Sequence, residues 1–329
     1  MSETLPQSGR SAPSARILTL SRAGAGVRLD LFLATQLDLS RGQARRLLER
    51  GAVSLAGRTL GPGDKGMSLP ADGQLQVEAF VAPGDQRAAP PEETSPRPAV
   101  VAEGPGWLAL DKPAGMPVHP LHPGERISLL GHVSLLRPEV HGVGEGGLRS
   151  GVVHRLDIET SGVVLVATEA GQWQRLRSAF QQHRVEKRYR ALVEGEVDWP
   201  GNVMQMRLPL RVARHKPAFV RVATPEESAR GRSREIEQTL RRLEVFPGAS
   251  LVEIEPRTGF LHQIRASLAH LGHPVIGDVR YGAAEGRAGA RRHMLHAAEV
   301  RFEEVAGRSP DPEDFRAVLQ QLRDGPAPD

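Results

Sequence analysis

Among the residues able to do chemistry, Asp157 holds the most telling position. It is the centre of a polar nonapeptide, His154-Arg155-Leu156-Asp157-Ile158-Glu159-Thr160-Ser161-Gly162. Apolar Gly151-Val152-Val153 leads in, and Val163-Val164-Leu165-Val166-Ala167 follows. Short apolar runs bounded by Gly and Ser read as buried strands, so the nonapeptide is expected as a loop between two core strands. Loops fixed on rigid strands are where proteins place chemistry. An ionised carboxylate there can attack a carbon centre or accept a proton. A lone Asp in a turn also serves as a turn former or cap, and spacing alone leaves both readings open. Arg265 lies at helical spacing from Leu261 and Leu268, at the edge of an apolar face. A cation so placed needs an anionic partner, whether a reacting group or any structural acid. Tyr189 sits in the strand-like run Lys187 to Val193, either as a core aromatic or as a ring facing a cleft.

The surrounding elements set the frame for these residues. With 329 residues, of which 39% are hydrophobic, the chain is long and apolar enough for two globular domains. Net charge is +4, the pI is about 9.9, and Arg outnumbers Lys, which makes nucleic acid a plausible partner without proving it. There is no cysteine, which excludes disulfides, thiolate metal sites, iron–sulfur clusters and cysteine nucleophiles. No apolar run approaches membrane-spanning length, and no signal-peptide core opens the chain. A cytoplasmic protein without a membrane partner is expected, and a monomer by default.

The chain divides by composition into a disordered tail (1–15), a small α/β unit (16–81), a Pro-rich solvated linker (82–99), a larger domain (100–305) and a polar C-terminal tail (306–329) with one short helix expected over 313–322. In the small unit, Ser40 and Gln43 fit a capping box that opens a helix closed by Gly51. Arg41, Arg45, Arg46 and Arg50 occupy the polar faces of that helix, with Glu49 the local counter-charge. The set reads as a phosphate-binding surface or as a solvated face. In the larger domain, strands outnumber helices without regular alternation, so an α+β architecture with a mixed, mostly antiparallel sheet is expected. A helix is expected over 261–271, and the Gly-, Ala- and Arg-rich run 283–292 reads as a basic surface loop. His119, His122, His132 and His141 are too irregularly spaced for a metal site, and none is expected. Gly142 to Gly147 matches G-x-G-x-x-G but lacks the strand before and the helix after that a dinucleotide loop requires.

Several segments together carry a family resemblance. The signature RSGVVHRLDIETSG resembles that of RluA-type pseudouridine synthases. Asp111 to Gly115 with Val118-His119, Lys187 to Val193, Arg257 to Arg265, His273 to Asp278 and Leu295 to Ala297 resemble further family motifs in the same order. The small unit resembles the S-four type of RNA-binding domain, with Ala56 where that family commonly has Asn. The resemblance implies a pseudouridine synthase fold and a cofactor-free isomerisation of uridines in structured RNA. Large-subunit ribosomal RNA is favoured over transfer RNA. It also implies that Asp157 reacts, that Arg265 pairs with it, that Tyr189 packs on the uracil, and that His154 and Arg155 contact displaced RNA. Two departures bear on substrate choice: Phe260-Leu261 replaces the family's usual Arg-Thr, and Ile158 a common Lys. The rival readings are a non-catalytic RNA-binding or ribosome-assembly factor and a carboxylate-dependent glycosidase. The intact Asp157, Tyr189 and Arg265 speak against the first. The lack of a well-placed second carboxylate speaks against the second.

Overall fold

A computed structural model describes residues 14–81 and 83–325. Most of the expected 1–15 tail lies outside the described residues. The chain forms two units, Met1–Gln86 and Arg87–Asp329.

In the first unit, strands β1 (Ser14–Leu20), β2 (Val53–Leu55), β3 (Arg58–Leu60) and β4 (Gly73–Phe80) form a sheet in the order β1-β4-β2-β3. Helices α1 (Leu29–Gln36) and α2 (Arg41–Glu49) precede β2 in the chain. Leu29, Leu33, Leu47, Leu48, Val53 and Leu75 share its core, where each buried leucine contributes about 1.5–3 kcal/mol. The capping box forms: Ser40 Oγ accepts from Gln43 N, and Gln43 Oε1 accepts from Ser40 N at 2.6 Å. At the β2–β3 turn, Ala56 takes φ +48° and Gly57 φ +80°. Such a turn favours Asn-Gly, because Asn tolerates left-handed backbone better than Ala.

The second unit is built on a ten-stranded sheet. Its strands are β5 (Ala99–Gly104), β6 (Trp107–Lys112), β7 (Ser161–Ala167), β8 (Glu186–Glu194), β9 (Val203–His215), β10 (Ala218–Val222), β11 (Arg234–Phe246), β12 (Ala249–Pro256), β13 (Leu295–Phe302) and β14 (Val305–Arg308). The order is β10-β9-β11-β12-β8-β13-β7-β6-β5, with β14 paired to β13. Only β13 and β7 run parallel; the other pairings are antiparallel. Helices α3 (Leu129–Leu136), α4 (Ala170–Gln181), α5 (Pro225–Ala229), α6 (Gln263–His270) and α7 (Glu313–Asp324) complete the unit. The fold is thus α+β, as expected.

The structure differs from the sequence reading in four places. The lead-in to the signature is a single bridge, Val152 with Val166, and not a strand. The Pro-rich segment counted as solvated linker is docked from Arg87 onward: Ser95 is buried against His132 at 3.1 Å, and Glu92 N donates to Arg126 O. Prolines extend a chain but do not prevent it from packing when a polar partner is in reach. The C-terminal segment holds the short helix expected over 313–322, but that helix, α7, is no part of a tail: it sinks Phe315, Val318 and Leu319 into the main core at helical spacing. Finally, the basic loop 283–292 ends on a buried arginine, Arg292, held in place by six acceptor atoms on five residues.

Candidate active site

The signature loop is clamped from several directions. Lys112, at the end of β6, is fully buried, and its Nζ donates to the carbonyls of Pro113, Met116 and Ile158 at 2.8–2.9 Å. Burial pushes this lysine down to about 7, yet three carbonyl acceptors need three N–H donors, which the ammonium supplies. Arg292 donates to Glu159 O at 3.0 Å. Thr160 Oγ1 bonds His293 Nε2 at 2.8 Å, and Ser161 Oγ bonds His296 Nδ1 at 3.0 Å. Gly162, at φ +115°, lets β7 approach β13 so closely that a Cβ would lie 2.2 Å from Ala297 O. Each contact fixes a residue within five positions of Asp157, so the carboxylate stands on a rigid base.

Asp157 is one-fifth exposed, and its Oδ2 accepts from Arg265 Nη1 at 2.9 Å. Arg265 is itself buried on α6 and held bidentately by Asp278, at 2.6 and 2.8 Å. Tyr281 lies under the guanidinium, with its ring centroid 5.1 Å away. Burial alone would raise the Asp157 carboxyl, but His262 and Arg265 beside it hold it below the usual aspartate value. Tyr189, on β8, is raised by burial and further by the Asp157 charge, so its hydroxyl stays protonated at neutral pH. The structure therefore brings Asp157, Arg265 and Tyr189 together from three distant segments.

Other expected site residues fare differently. His154 does not face outward: its Nε2 accepts from Leu165 N at 2.9 Å, and its ring stacks on Phe180 with centroids 4.5 Å apart. Burial pushes it down to about 3, so it stands as a neutral group packed beneath the loop. Arg155 is exposed and makes no hydrogen bond or ion pair among the described residues. In the first unit, Arg41 and Arg45, with Arg28, converge on buried Asp30, whose carboxyl they hold down to about 2, Arg28 foremost. Arg46 and Arg50 are the arginines of α2 left exposed without such a partner among the described residues. Phe260 and Leu261, in place of the family's polar pair, pack against the cluster of Leu210, Val220, Ile236 and Tyr281.

Sequence reasoning missed His262, Asp278, Tyr281 and Lys112 as members of the site. His262 stands three residues before Arg265, and Asp278 closes a motif already singled out. The strongest unused signal was scarcity, since the chain has two tyrosines and both lie at this cluster.

The family model described as RNA pseudouridylate synthase matches residues 106–270, which span Asp157, Tyr189 and Arg265. An uncharacterized RNA pseudouridine synthase of Mycobacterium bovis is 34% identical over 91% of this chain and 95% of its own length. This chain belongs to the RNA pseudouridine synthase family. Its members are isomerases, and so is this protein. The ribosomal large subunit pseudouridine synthase C of Escherichia coli K12 is 30% identical over 94% of this chain and 98% of its own. Among solved structures, human RNA pseudouridylate synthase domain containing 1 matches with TM-score 0.53 and 25% identity, over 71% of this chain and 97% of that one. Human RNA pseudouridylate synthase domain containing 4, at TM-score 0.54 and 20% identity, covers 68% of this chain and 93% of that one and shares the fold.

Proposed function

We propose that this pseudouridine synthase acts on large-subunit ribosomal RNA, with the Asp157 carboxylate as the reacting group and without a cofactor. The observation that carries the reading is a partly exposed carboxylate tied at Oδ2 to an arginine that a second aspartate locks in place. Its Oδ1 has no hydrogen bond among the described residues and is available to react. Whether the carboxylate attacks the sugar, adds to the base or removes a sugar proton, it must be ionised, and the pairing with Arg265 provides that.

In the isomerisation, the bond from N1 to C1′ breaks and a bond from C5 to C1′ forms. The C5 hydrogen leaves as a proton, and N1 gains one. No electrons are exchanged, so the chemistry needs no redox partner. Tyr189 would pack on the target uracil. Its protonated hydroxyl suits a donor in the resting site and not a standing phenolate base. A uridine in structured RNA must be flipped out, at a cost of a few kcal/mol, and exposed Arg155, two residues before Asp157, would contact the displaced strand. Arg46 and Arg50 would add phosphate contacts from the first unit.

The ribosomal address is supported by the name of the Escherichia coli relative, a large subunit pseudouridine synthase. Tritium release from uracil labelled at C5 tests both parts. Release from large-subunit RNA by the wild type and not by Asp157→Asn is expected. Release from transfer RNA alone would overturn the address, and release by Asp157→Asn would overturn the assigned chemistry.

A further inference from the structure

Besides Arg265, His262 brings a ring nitrogen within 4 Å of the Asp157 carboxylate, and its backbone is left-handed. It takes φ +51° at the start of α6, a left-handed conformation uncommon for residues other than glycine, though His adopts it more readily than most. It makes no side-chain cap there, so capping does not explain its presence. Such strain persists where the surroundings enforce it, most often at working sites.

The ring is oriented by a chain of hydrogen bonds. Val220 N donates to the Tyr281 hydroxyl oxygen at 2.9 Å, and that hydroxyl lies 2.9 Å from His262 Nδ1. The hydroxyl hydrogen can therefore go to Nδ1, and in that arrangement Nδ1 accepts and the neutral ring carries its proton on Nε2, facing Asp157. Phe219 stacks on Tyr281 at 5.1 Å and His262 meets its edge, so the phenol cannot easily turn away. His262 Nε2 lies 3.8 Å from Asp157 Oδ2, the same oxygen that Arg265 holds.

We infer that His262 is a positioning residue for Asp157: its Nε2–H, fixed by Tyr281, joins Arg265 in holding Oδ2 and so keeps Oδ1 turned toward the uridine. The inference rests on Asp157 being the reacting group. At 3.8 Å the contact is open, and a closure of roughly 0.8 Å would bring it to hydrogen-bond length. Polar contacts in unliganded active sites often tighten only when substrate arrives. The charges facing His262 are Asp157 and Asp278, which favour its protonation, and Arg265 and Arg280, which oppose it. Burial is the largest influence and lowers it, so the neutral donor form prevails at neutral pH. Removing one of two anchors on the carboxylate costs orientation, not substrate affinity.

The test uses the full-length protein and a C5-tritiated ribosomal RNA substrate in single-turnover assays with saturating enzyme, below the unfolding temperature of every variant. His262→Gly relieves the left-handed strain and deletes the donor. With folding checked by circular dichroism, it is expected to react about 10- to 100-fold more slowly, with unchanged RNA Kd. His262→Gln, whose amide nitrogen can reach the Nε2 position, is expected to recover part of the rate. Nitrogen NMR of the ring is expected to report the Nε2–H tautomer in the wild type and a mixture in Tyr281→Phe. A His262→Gly rate within twofold of wild type, or a loss that appears only in Kd, would overturn the inference. Equal losses in His262→Gly and His262→Gln would do so too, because packing would then explain them. Asp157→Asn is run beside them: if it still releases tritium, the reading of Asp157 has failed and not merely that of His262.

Discussion

Asp30 and Asp157 both sit against arginines, but the two clusters are built in opposite senses. In the first unit, the acid is buried and three half-exposed arginines close over it. The cluster has more positive than negative charge, and the excess faces water. In the second unit, the arginine is buried and two aspartates hold it. The excess is negative, and the aspartate with an unpaired oxygen is the partly exposed one. The same ion pair therefore anchors a cationic surface in one place and presents a carboxylate in the other. Which partner is buried, and how many of each sign share the cluster, decides what is offered to a ligand.

The comparison is broken most severely at Asp157. Asp157→Asn should lower tritium release by about a thousandfold or more while RNA binding, read by filter retention, stays within a few-fold. Preserved release would mean that the second cluster is merely structural. Next comes Arg265→Lys, which keeps the charge but cannot hold Asp278 bidentately and reach Asp157 together. A loss of about a hundredfold in single-turnover rate is expected, with the pH profile as a second readout. In the wild type, the folded Asp157 value lies below its unfolded one. Its ionised form, and the stability it brings, are then present above the usual aspartate value and lost as the pH falls through the lower folded one. The rate should accordingly show no acid limb between pH 5 and 7, roughly one unit and more above a free aspartate. Appearance of such a limb in the wild type would contradict the pairing.

Smaller effects belong to the first cluster. Asp30 is depressed to about 2, so its contribution is present above about 3.8 and is lost as the pH falls toward 2. Circular dichroism in acid should show Asp30→Asn less stable than wild type at pH 5 to 7, with the difference closing by about pH 2. Replacing Arg46 and Arg50 together by Ala should reduce the salt slope of RNA binding by about 1.4–1.8, if each contacts one phosphate. An unchanged slope would make α2 a solvated face. Smallest is Ala56→Asn, expected to stabilise the first unit by about 0.5–1 kcal/mol in thermal melts, because Asn fits φ +48° better.

How legible each part was follows from where its signal lay. The capping box of α2 is local chemistry, three residues apart, and it formed as read. The buried run Val163 to Ala167 became the interior strand β7, because an uninterrupted apolar run has no solvent face. The docking of the segment after Arg87 and of helix α7 was hidden by polarity, since Pro-rich and charged stretches show little of the few residues that anchor them. His154 and Arg155 are adjacent and equally polar in sequence, yet one turns under the loop to Leu165 and Phe180 and the other turns out.

The sequence by itself determined the family and the α+β class, and it singled out the three residues of the proposed site. Those follow from motifs and periodicities written into consecutive residues. Only the tertiary structure decided that Arg265 serves two aspartates, that Tyr281 and His262 complete the cluster, and that Arg41 and Arg45 are engaged by Asp30. Pairing between charges depends on distance and burial. Segments more than a hundred residues apart in the chain, such as Asp157 and Arg265, acquire those only when the sheet brings their loops together.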